Sequence, residues 1–306
     1  MKQPSQQVRI FVRNATVLDC AVWDMNHGPR GQSWQVDIEW HGHTDDEGVI
    51  VDFSLAKKTA KGLIDRLFDH RLLIAETSVH RTDNNSVICC PSPQIKTDDC
   101  FLIETYQESV ALLPVETMLA LGRGDTQLLE STIASEIKNI SPENITEIRV
   151  KLKPHEARGL PVHFNYLHSL RLHSGNCQRF HGHSNIVEIF ESDQPRPSAA
   201  ADVAVALNGK YLVAESYVSK SSCNASQQFF SFQELHKLNQ HTHTLIEYQG
   251  TQGAVTLLVP KSRLILMPDE STIENISRWI FEHFFEHMQK VRVFGYEGLH
   301  KGAIYP

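Results

Sequence analysis

The sequence predicts an α+β protein built from two related halves. Strand-like runs return on themselves as hairpins, apolar residues recur at helical spacing in a few longer segments, and one stretch recurs 151 residues later. In that repeat Gly31-Gln-Ser-Trp-Gln-Val-Asp-Ile-Glu aligns with Gly182-His-Ser-Asn-Ile-Val-Glu-Ile-Phe. Two further matches support it: Leu112-Leu-Pro through Leu121-Gly with Leu258-Val-Pro through Met267-Pro, and Ile148-Arg-Val150 with Val291-Arg-Val293. The offsets differ, so connecting loops have changed length. The expected division is 1–157 and 158–306, with the boundary near Pro154 to Pro161.

In the first half, strands are expected at Gln7 to Asn14, Ser33 to Trp40 and Val49 to Phe53, with an acidic turn at Asp45-Asp46-Glu47-Gly48. A helix follows from Ser54, its expected N-cap, to Phe68, with Leu55, Ala56, Ala60, Leu63, Ile64 and Leu67 on one face. Glu76 to Asp99 carries Pro91, Pro93 and Asn/Asp clusters and reads as a long loop or insertion. Strands near Phe101 to Thr105, Ser109 to Leu113 and Thr146 to Lys153, and a helix at Thr126 to Lys138, complete this half. The second half repeats the hairpin, with Leu160 to Leu170 returning through Arg171 to Phe180. Asp193 to Ala201 reads as a linker-like insertion, within a wider unassigned stretch to Gln228. Strand at Lys210 to Val218, a short helix from Phe232, a helix at Ser271 to His287 with Ser271 as its cap, and strand at Val291 to Tyr296 are expected to follow. Each half thus has about four strands and two helices.

Composition narrows the class. Forty-one per cent hydrophobic and 21% charged residues describe a globular chain. A formal charge of −7 gives no electrostatic case for nucleic acid or an anionic membrane as partner. No apolar run approaches the ~18 to 20 residues of a membrane-spanning helix. Six cysteines, two of them adjacent at Cys89-Cys90, do not suggest a disulfide framework. A cytoplasmic location is the expectation.

The chemistry concentrates in Cys177-Gln-Arg-Phe-His181-Gly-His183 and the earlier His168. Successive strand residues alternate faces, so His181 and His183 point the same way, and an antiparallel return brings His168 across from them. Three imidazoles without a fourth protein ligand form the open arrangement of a catalytic zinc. Cys177 as a fourth ligand would instead close a structural site. In the repeat register these positions become Val17 for His168, Asn26 for Cys177, Arg30 for His181 and Gln32 for His183, so only the second half can hold the metal. His41-Gly-His43 has the same letters but no hairpin partner, and is read as an exposed turn. Cys20, Cys89, Cys90, Cys100 and Cys223 have no companions at metal-binding spacing and are read as structural.

These residues resemble the tetrahydropterin synthase family, which holds 6-pyruvoyltetrahydropterin synthase and 6-carboxytetrahydropterin synthase. The second half is similar in Cys-x-x-x-His-Gly-His, in the helix start at Pro268-Asp-Glu-Ser-Thr272-Ile-Glu-Asn275, and in Glu297-Gly-Leu-His-Lys-Gly302-Ala-Ile-Tyr305. The first half is similar elsewhere, in Gly48-Val-Ile-Val-Asp52-Phe53 and Leu67-Phe-Asp69-His70-Arg-Leu-Leu. The resemblance implies a tandem T-fold and a homo-oligomeric ring, with a trimer of tandem chains favoured. It implies zinc on His168, His181 and His183, Cys177 as base, an Asp-His proton relay, and Glu297 and Thr272 on the pterin side. The implied substrate is 7,8-dihydroneopterin triphosphate. The favoured product is 6-carboxy-5,6,7,8-tetrahydropterin, a queuosine precursor, formed with loss of acetaldehyde and triphosphate. The 6-pyruvoyl product and a non-catalytic zinc-binding module are the alternatives.

One departure shapes the expectation. The Asp-His pair belongs after the second half's first helix, where the sequence offers Gln240-His241-Thr242-His243 without an aspartate. The intact pair, Asp69-His70, lies in the half without zinc ligands. The complementary losses predict one composite site per chain. Arg171, Arg179 and Lys301 lie near the motifs as candidate triphosphate contacts.

Overall fold

The structure is a computed structural model that describes residues 6–24, 27–81, 86–89, 101–154, 163–219, 241–298 and 301–306. Mixed sheets and helices make it an α+β fold. β1 (Gln7–Asp24) and β2 (Gly28–His43) form one long antiparallel hairpin, so the two strands expected there are parts of much longer ones. Their inner stretches are buried almost continuously, which hides the strand period between Ala15 and Gly31 from a reading based on alternation. Val49 to Phe53 is not a strand. Asp52 is already the N-cap of α1 (Phe53–Leu67), its carboxylate accepting from Leu55 N at 2.8 Å, and Ser54 lies inside the helix.

The chain then runs through β3 (Leu72–Ala75), β4 (Val79–Arg81), β5 (Ser86–Cys89), β6 (Leu102–Tyr106) and β7 (Val110–Leu113). α2 (Val115–Gly122), α3 (Gln127–Asn139) and β8 (Ile145–Pro154) follow. The second half holds β9 (His163–His168), β10 (His181–Glu191), the short β11 (Gln194–Pro195), α4 (Pro197–Leu207) and β12 (Lys210–Ala214). It continues with β13 (His243–Gln249), β14 (Ala254–Pro260), β15 (Leu264–Met267), α5 (Ile273–Phe284), β16 (Val291–Tyr296) and β17 (Gly302–Tyr305). The helix expected from Phe232, and Cys90, Cys100 and Cys223, lie outside the described residues.

The stretch read as a linker at Asp193 to Ala201 is β11 and the start of α4. Pro197 sits at the helix start, where its missing N–H costs nothing, and the alanines after it favour helix. Ala200, Val203, Ala204 and Leu207 bury its inner face. Within the expected loop from Glu76 onward, residues 79–81 and 86–89 form the antiparallel strands β4 and β5.

Sheet order repeats between the halves. The first sheet runs β7-β3-β1-β2-β8, and the second runs β15-β12-β9-β10-β16-β17. Strand registers agree closely: Trp40 and Ile38 pair with Ile148 and Val150, as Glu191 and Ile189 pair with Val291 and Val293. Two expected alignments need correction. Val22 pairs with Arg30 as His168 pairs with His181, so Val22, not Val17, stands where His168 does. Leu113-Pro114 corresponds to Met267-Pro268, since β7 beside β3 matches β15 beside β12, whereas Leu258-Val-Pro260 belongs to β14.

A third sheet, β13-β14-β6-β5-β4, joins strands from both halves through the β14–β6 pairing of Val255 with Thr105 and Leu258 with Leu102. The two hairpins also cross face to face. A Cβ at Gly31 or Gly182 would collide with the Tyr166 carbonyl, so only glycine permits the crossing. One large apolar core draws residues from both halves, and a second packs α4 and α5 against β9, β10 and β16.

Candidate metal centre and active site

β9 and β10 pair so that His168 lies opposite His181 and Tyr166 opposite His183. All three imidazoles are wholly buried. His168 Nε2 lies 2.9 Å from His181 Nε2 and 3.0 Å from His183 Nε2. Each opposite nitrogen faces an acceptor. His168 Nδ1 donates to Ser271 O at 3.0 Å and His181 Nδ1 to Arg179 O at 2.8 Å, while His183 Nδ1 lies 3.3 Å from Asp19 Oδ1. The last contact is within ion-pair range but not well aligned as a hydrogen bond.

This outer layer fixes the tautomer and leaves three Nε2 lone pairs facing one another. Burial and the neighbouring rings push the pKa of His168 and of His181 well below the ordinary value, so neither supplies a proton to relieve the crowding. Buried acceptors facing acceptors lack donors, and a metal ion would satisfy all three at once. Metal–nitrogen bonds of about 2.0–2.1 Å in tetrahedral geometry place nitrogens roughly 3.4 Å apart, so a slight opening of the trio admits zinc. The donor set therefore fits a zinc ion.

The first half reaches this centre. Asp69 and His70 follow α1, and His70 takes φ +53°, a left-handed conformation that costs a non-glycine residue energy. His70 Nδ1 bonds Asp69 Oδ2 at 2.5 Å. The His70 ring centroid lies 4.6 Å from that of His181, and the ligand atoms of His70, Cys177 and His181 lie within 4.8 Å of one another. Burial opposes a charge on His70, but hydrogen bonds to Asp69 and Cys177 outweigh it and push its pKa up to about 10. Cys177 sits half-buried on a short 3-10 turn, its carbonyl held by Leu170 N.

Asp19, on β1, is a residue that sequence reasoning passes over. Its side chain is buried, beside His183 and 2.5 Å from the donating Ser33 Oγ. Its backbone N–H donates to Asp69 Oδ1 at 2.9 Å, and its carbonyl accepts from His70 N at 2.7 Å. Gly298 packs on the same carboxylate. The signal is present in the chain: an aspartate inside the apolar run Val17-Leu-Asp-Cys-Ala-Val-Trp23.

The other expected residues fall as follows. Gly298 N is held by Asn185 Oδ1 at 2.7 Å, which places Glu297 at the edge of the site, with Lys301 Nζ 3.5 Å from its carboxylate. Thr272 rather than Ser271 caps α5, its hydroxyl accepting from Asn275 N, while the Ser271 side chain is buried. Arg179 is buried with Nε on Gln252 and Nη1 without a hydrogen-bond partner, and Arg171 stacks over Tyr217. His41 is not in an exposed turn. It is buried within β2, with ring nitrogens 3.6 Å from Glu39 and 3.3 Å from Glu147, because β8 covers that strand. His43 is exposed.

The expected counterpart of Asp69-His70 also moves. His243 lies on β13 in the third sheet, so neither it nor His241 follows the second half's helix. The equivalent connection, from α4 into β12, is Asn208-Gly209. Asn165 N donates to Asn208 Oδ1 at 3.0 Å and Gly209 N to Asn165 O at 2.7 Å, matching the bonds among Asp19, Asp69 and His70. Gly209 takes φ +71° where His70 takes +53°. At this second position Arg263 fills the gap, donating to the carbonyls of Gly209, His27 and Pro29.

Fold and site together define a buried histidine trio that could hold a metal ion in an α+β protein, with a thiol and an Asp-His pair beside it. Residues 160–305 match the family model for 6-pyruvoyl tetrahydropterin synthase. The matched domain supports a tetrahydropterin synthase-like activity. Among solved structures, 6-pyruvoyl tetrahydropterin synthase from Plasmodium falciparum is similar at 17% identity and TM-score 0.30, over 50% of this chain and 93% of that one. The 6-pyruvoyl tetrahydropterin synthase from Plasmodium vivax is similar at 15% identity and TM-score 0.30, over 49% of this chain and 99% of that one. No curated protein matches the chain.

Proposed function

We propose that the chain is a zinc-dependent lyase that converts 7,8-dihydroneopterin triphosphate to 6-carboxy-5,6,7,8-tetrahydropterin, with release of acetaldehyde and triphosphate. The observation that carries this reading is the meeting of His70 with Cys177 and His181, across two halves of the chain. On this reading the halves are two diverged copies of one T-fold domain, 1–157 and 158–306, and each supplies what the other lacks.

Zinc on His168, His181 and His183 would act as a Lewis acid toward the side-chain hydroxyls of the substrate. Cys177 removes the carbon-bound proton, with the His70 ring beside it. Asp69 fixes the His70 ring and supports its positive charge, so His70 can pass a proton on. Glu297 accepts from the pterin N–H groups, with Lys301 beside it and Thr272 at the start of α5 close to the Ser271 carbonyl that holds His168. Arg179, whose Nη1 has no hydrogen-bond partner, is suited to the triphosphate, with Arg171 and Lys301 as further candidates near the motifs. A homo-oligomer is part of the proposal, with a trimer of chains favoured.

The test is product analysis after incubating zinc-loaded protein with the pterin triphosphate. Acetaldehyde with the 6-carboxy product is the expected outcome. Triphosphate loss alone, giving the 6-pyruvoyl product, would move the assignment to the activity that names the matched family model. No consumption at any concentration would leave a zinc-binding module and overturn the enzyme reading.

A further inference from the structure

We propose that Asp19, a residue of the half without metal ligands, is a positioning residue for the metal centre: its carboxylate orients His183 and adds a negative charge behind the histidine trio. The inference rests on the metal reading above and goes beyond it, because it makes the affinity of the second half's site depend on a charge from the first.

The argument starts from a comparison inside the molecule. Asp19, Asp69 and His70 form one local scaffold in which backbone N–H groups bind a side-chain oxygen and a carbonyl. Asn165, Asn208 and Gly209 form the same two backbone N–H bonds at the equivalent place, with a further bond from Asn165 Nδ2 to Asn208 Oδ1 at 3.0 Å. The neutral set thus holds its strand and turn together without a charge. Scaffolding therefore does not explain a carboxylate at position 19.

What differs is what each set faces. Asp19 Oδ1 lies 3.3 Å from His183 Nδ1. The residue equivalent to His183 is Gln32, which has no ring to orient. The carboxylate is also held in place. Ser33 Oγ donates to Oδ1 at 2.5 Å, and the Ser33 oxygen itself accepts from Ser184 N at 3.1 Å, next to His183 in the chain. Gly298 closes the other side, where any side chain would press on both carboxylate oxygens. A buried carboxylate so enclosed is costly without a positive partner. A metal-bound imidazole N–H, carrying part of the cation's charge, is such a partner, and a carboxylate behind a ligating histidine raises its basicity.

His168 and His181 donate to neutral carbonyls, so His183 alone receives a charged acceptor. This makes the metal centre a joint product of the two halves before any substrate binds.

The experiment measures zinc and cobalt affinity by chelator competition on full-length Asp19→Asn, with the cobalt absorption spectrum as a second readout. The substitution copies the natural Asn165; it removes the charge and exchanges one acceptor oxygen for an amide donor. A loss of affinity of about 10- to 100-fold, with a shifted cobalt spectrum, is expected. Asp69→Asn in parallel should leave metal affinity nearly unchanged, since Asp69 bonds the His70 ring and the Asp19 backbone, an amide oxygen can still accept from Asp19 N, and neither bond reaches a ligand ring. Wild-type affinity and spectrum in Asp19→Asn would overturn the proposal. If wild-type protein binds no metal at all, the metal reading itself falls, which is a separate outcome. Should Asp19→Asn fail to fold, Ser33→Ala frees the carboxylate from its tether. A weaker loss of affinity is then expected, and unchanged affinity again overturns the role.

Discussion

Ser184 donates its backbone N–H to Ser33 Oγ at 3.1 Å, although the two lie 151 residues apart. They occupy equivalent places in the two hairpins, Ser33 opposite Asp19 and Ser184 opposite Asn165. Equivalent residues thus meet where β2 crosses β10, and His183, a proposed metal ligand, sits one residue away. The crossing that joins the halves and the site that uses both are the same place.

The crossing depends on glycine. Gly182→Ala places a Cβ against the Tyr166 carbonyl and the Gly31 Cα, both of them backbone that a rotamer change cannot move. Overpacking of this kind costs about 1–3 kcal/mol. Urea unfolding should show that loss, and zinc content should fall with it because His181 and His183 flank the residue.

Metal removal should abolish turnover. A chelator-treated protein is expected to regain activity on adding zinc. His181→Ala should hold less than about a tenth of the wild-type metal, because three ligands are the fewest that close an open zinc site. Elemental analysis of purified protein checks both, and full zinc retention in His181→Ala would contradict the ligand assignment.

Asp69→Asn, His70→Ala and Cys177→Ala should each keep the metal and lose kcat by about 10²- to 10⁴-fold, the usual range for positioned proton transfer. Their effects should not add, since one proton route uses all three. Turnover unchanged in Asp69→Asn and His70→Ala would sink the composite site.

Asp19 makes a prediction about pH. Burial raises a carboxyl pKa, but His183 and the Ser33 hydroxyl outweigh it and hold Asp19 at about 2 against an ordinary 3.8. A depressed folded-state pKa contributes stability that is complete above the unfolded value and is lost as pH falls through the folded one. The contribution is about 2 kcal/mol at neutral pH, with nearly half gone by about pH 3. Urea unfolding of metal-free wild type and Asp19→Asn should therefore show a stability gap at neutral pH that narrows in acid.

Much of this is legible in the chain because it follows local periods. The placement of His168, His181 and His183 is a consequence of strand alternation, and the apolar faces of α1, α3 and α5 follow helical spacing. The motifs of the second half carry the resemblance to tetrahydropterin synthases, and the family model matches within that half, at residues 160–305. α4 escapes such a reading because Pro195, Pro197 and Ser198 cluster as they do in loops, while the same Pro197 also suits the first turn of a helix. The long inner halves of β1 and β2 escape it because strands buried on both faces lose their alternation.

The sequence alone determined that one half carries the His168, His181 and His183 trio with Cys177 and the other the Asp69-His70 pair, since side-chain chemistry is written residue by residue. Only the tertiary structure decided that His70 stands beside His181 and Cys177, that Asp19 backs His183, and that Asn208-Gly209 is the neutral counterpart of Asp69-His70. Those relations depend on two glycine-bearing strands crossing at Gly31 and Gly182, a long-range packing event to which no local period points.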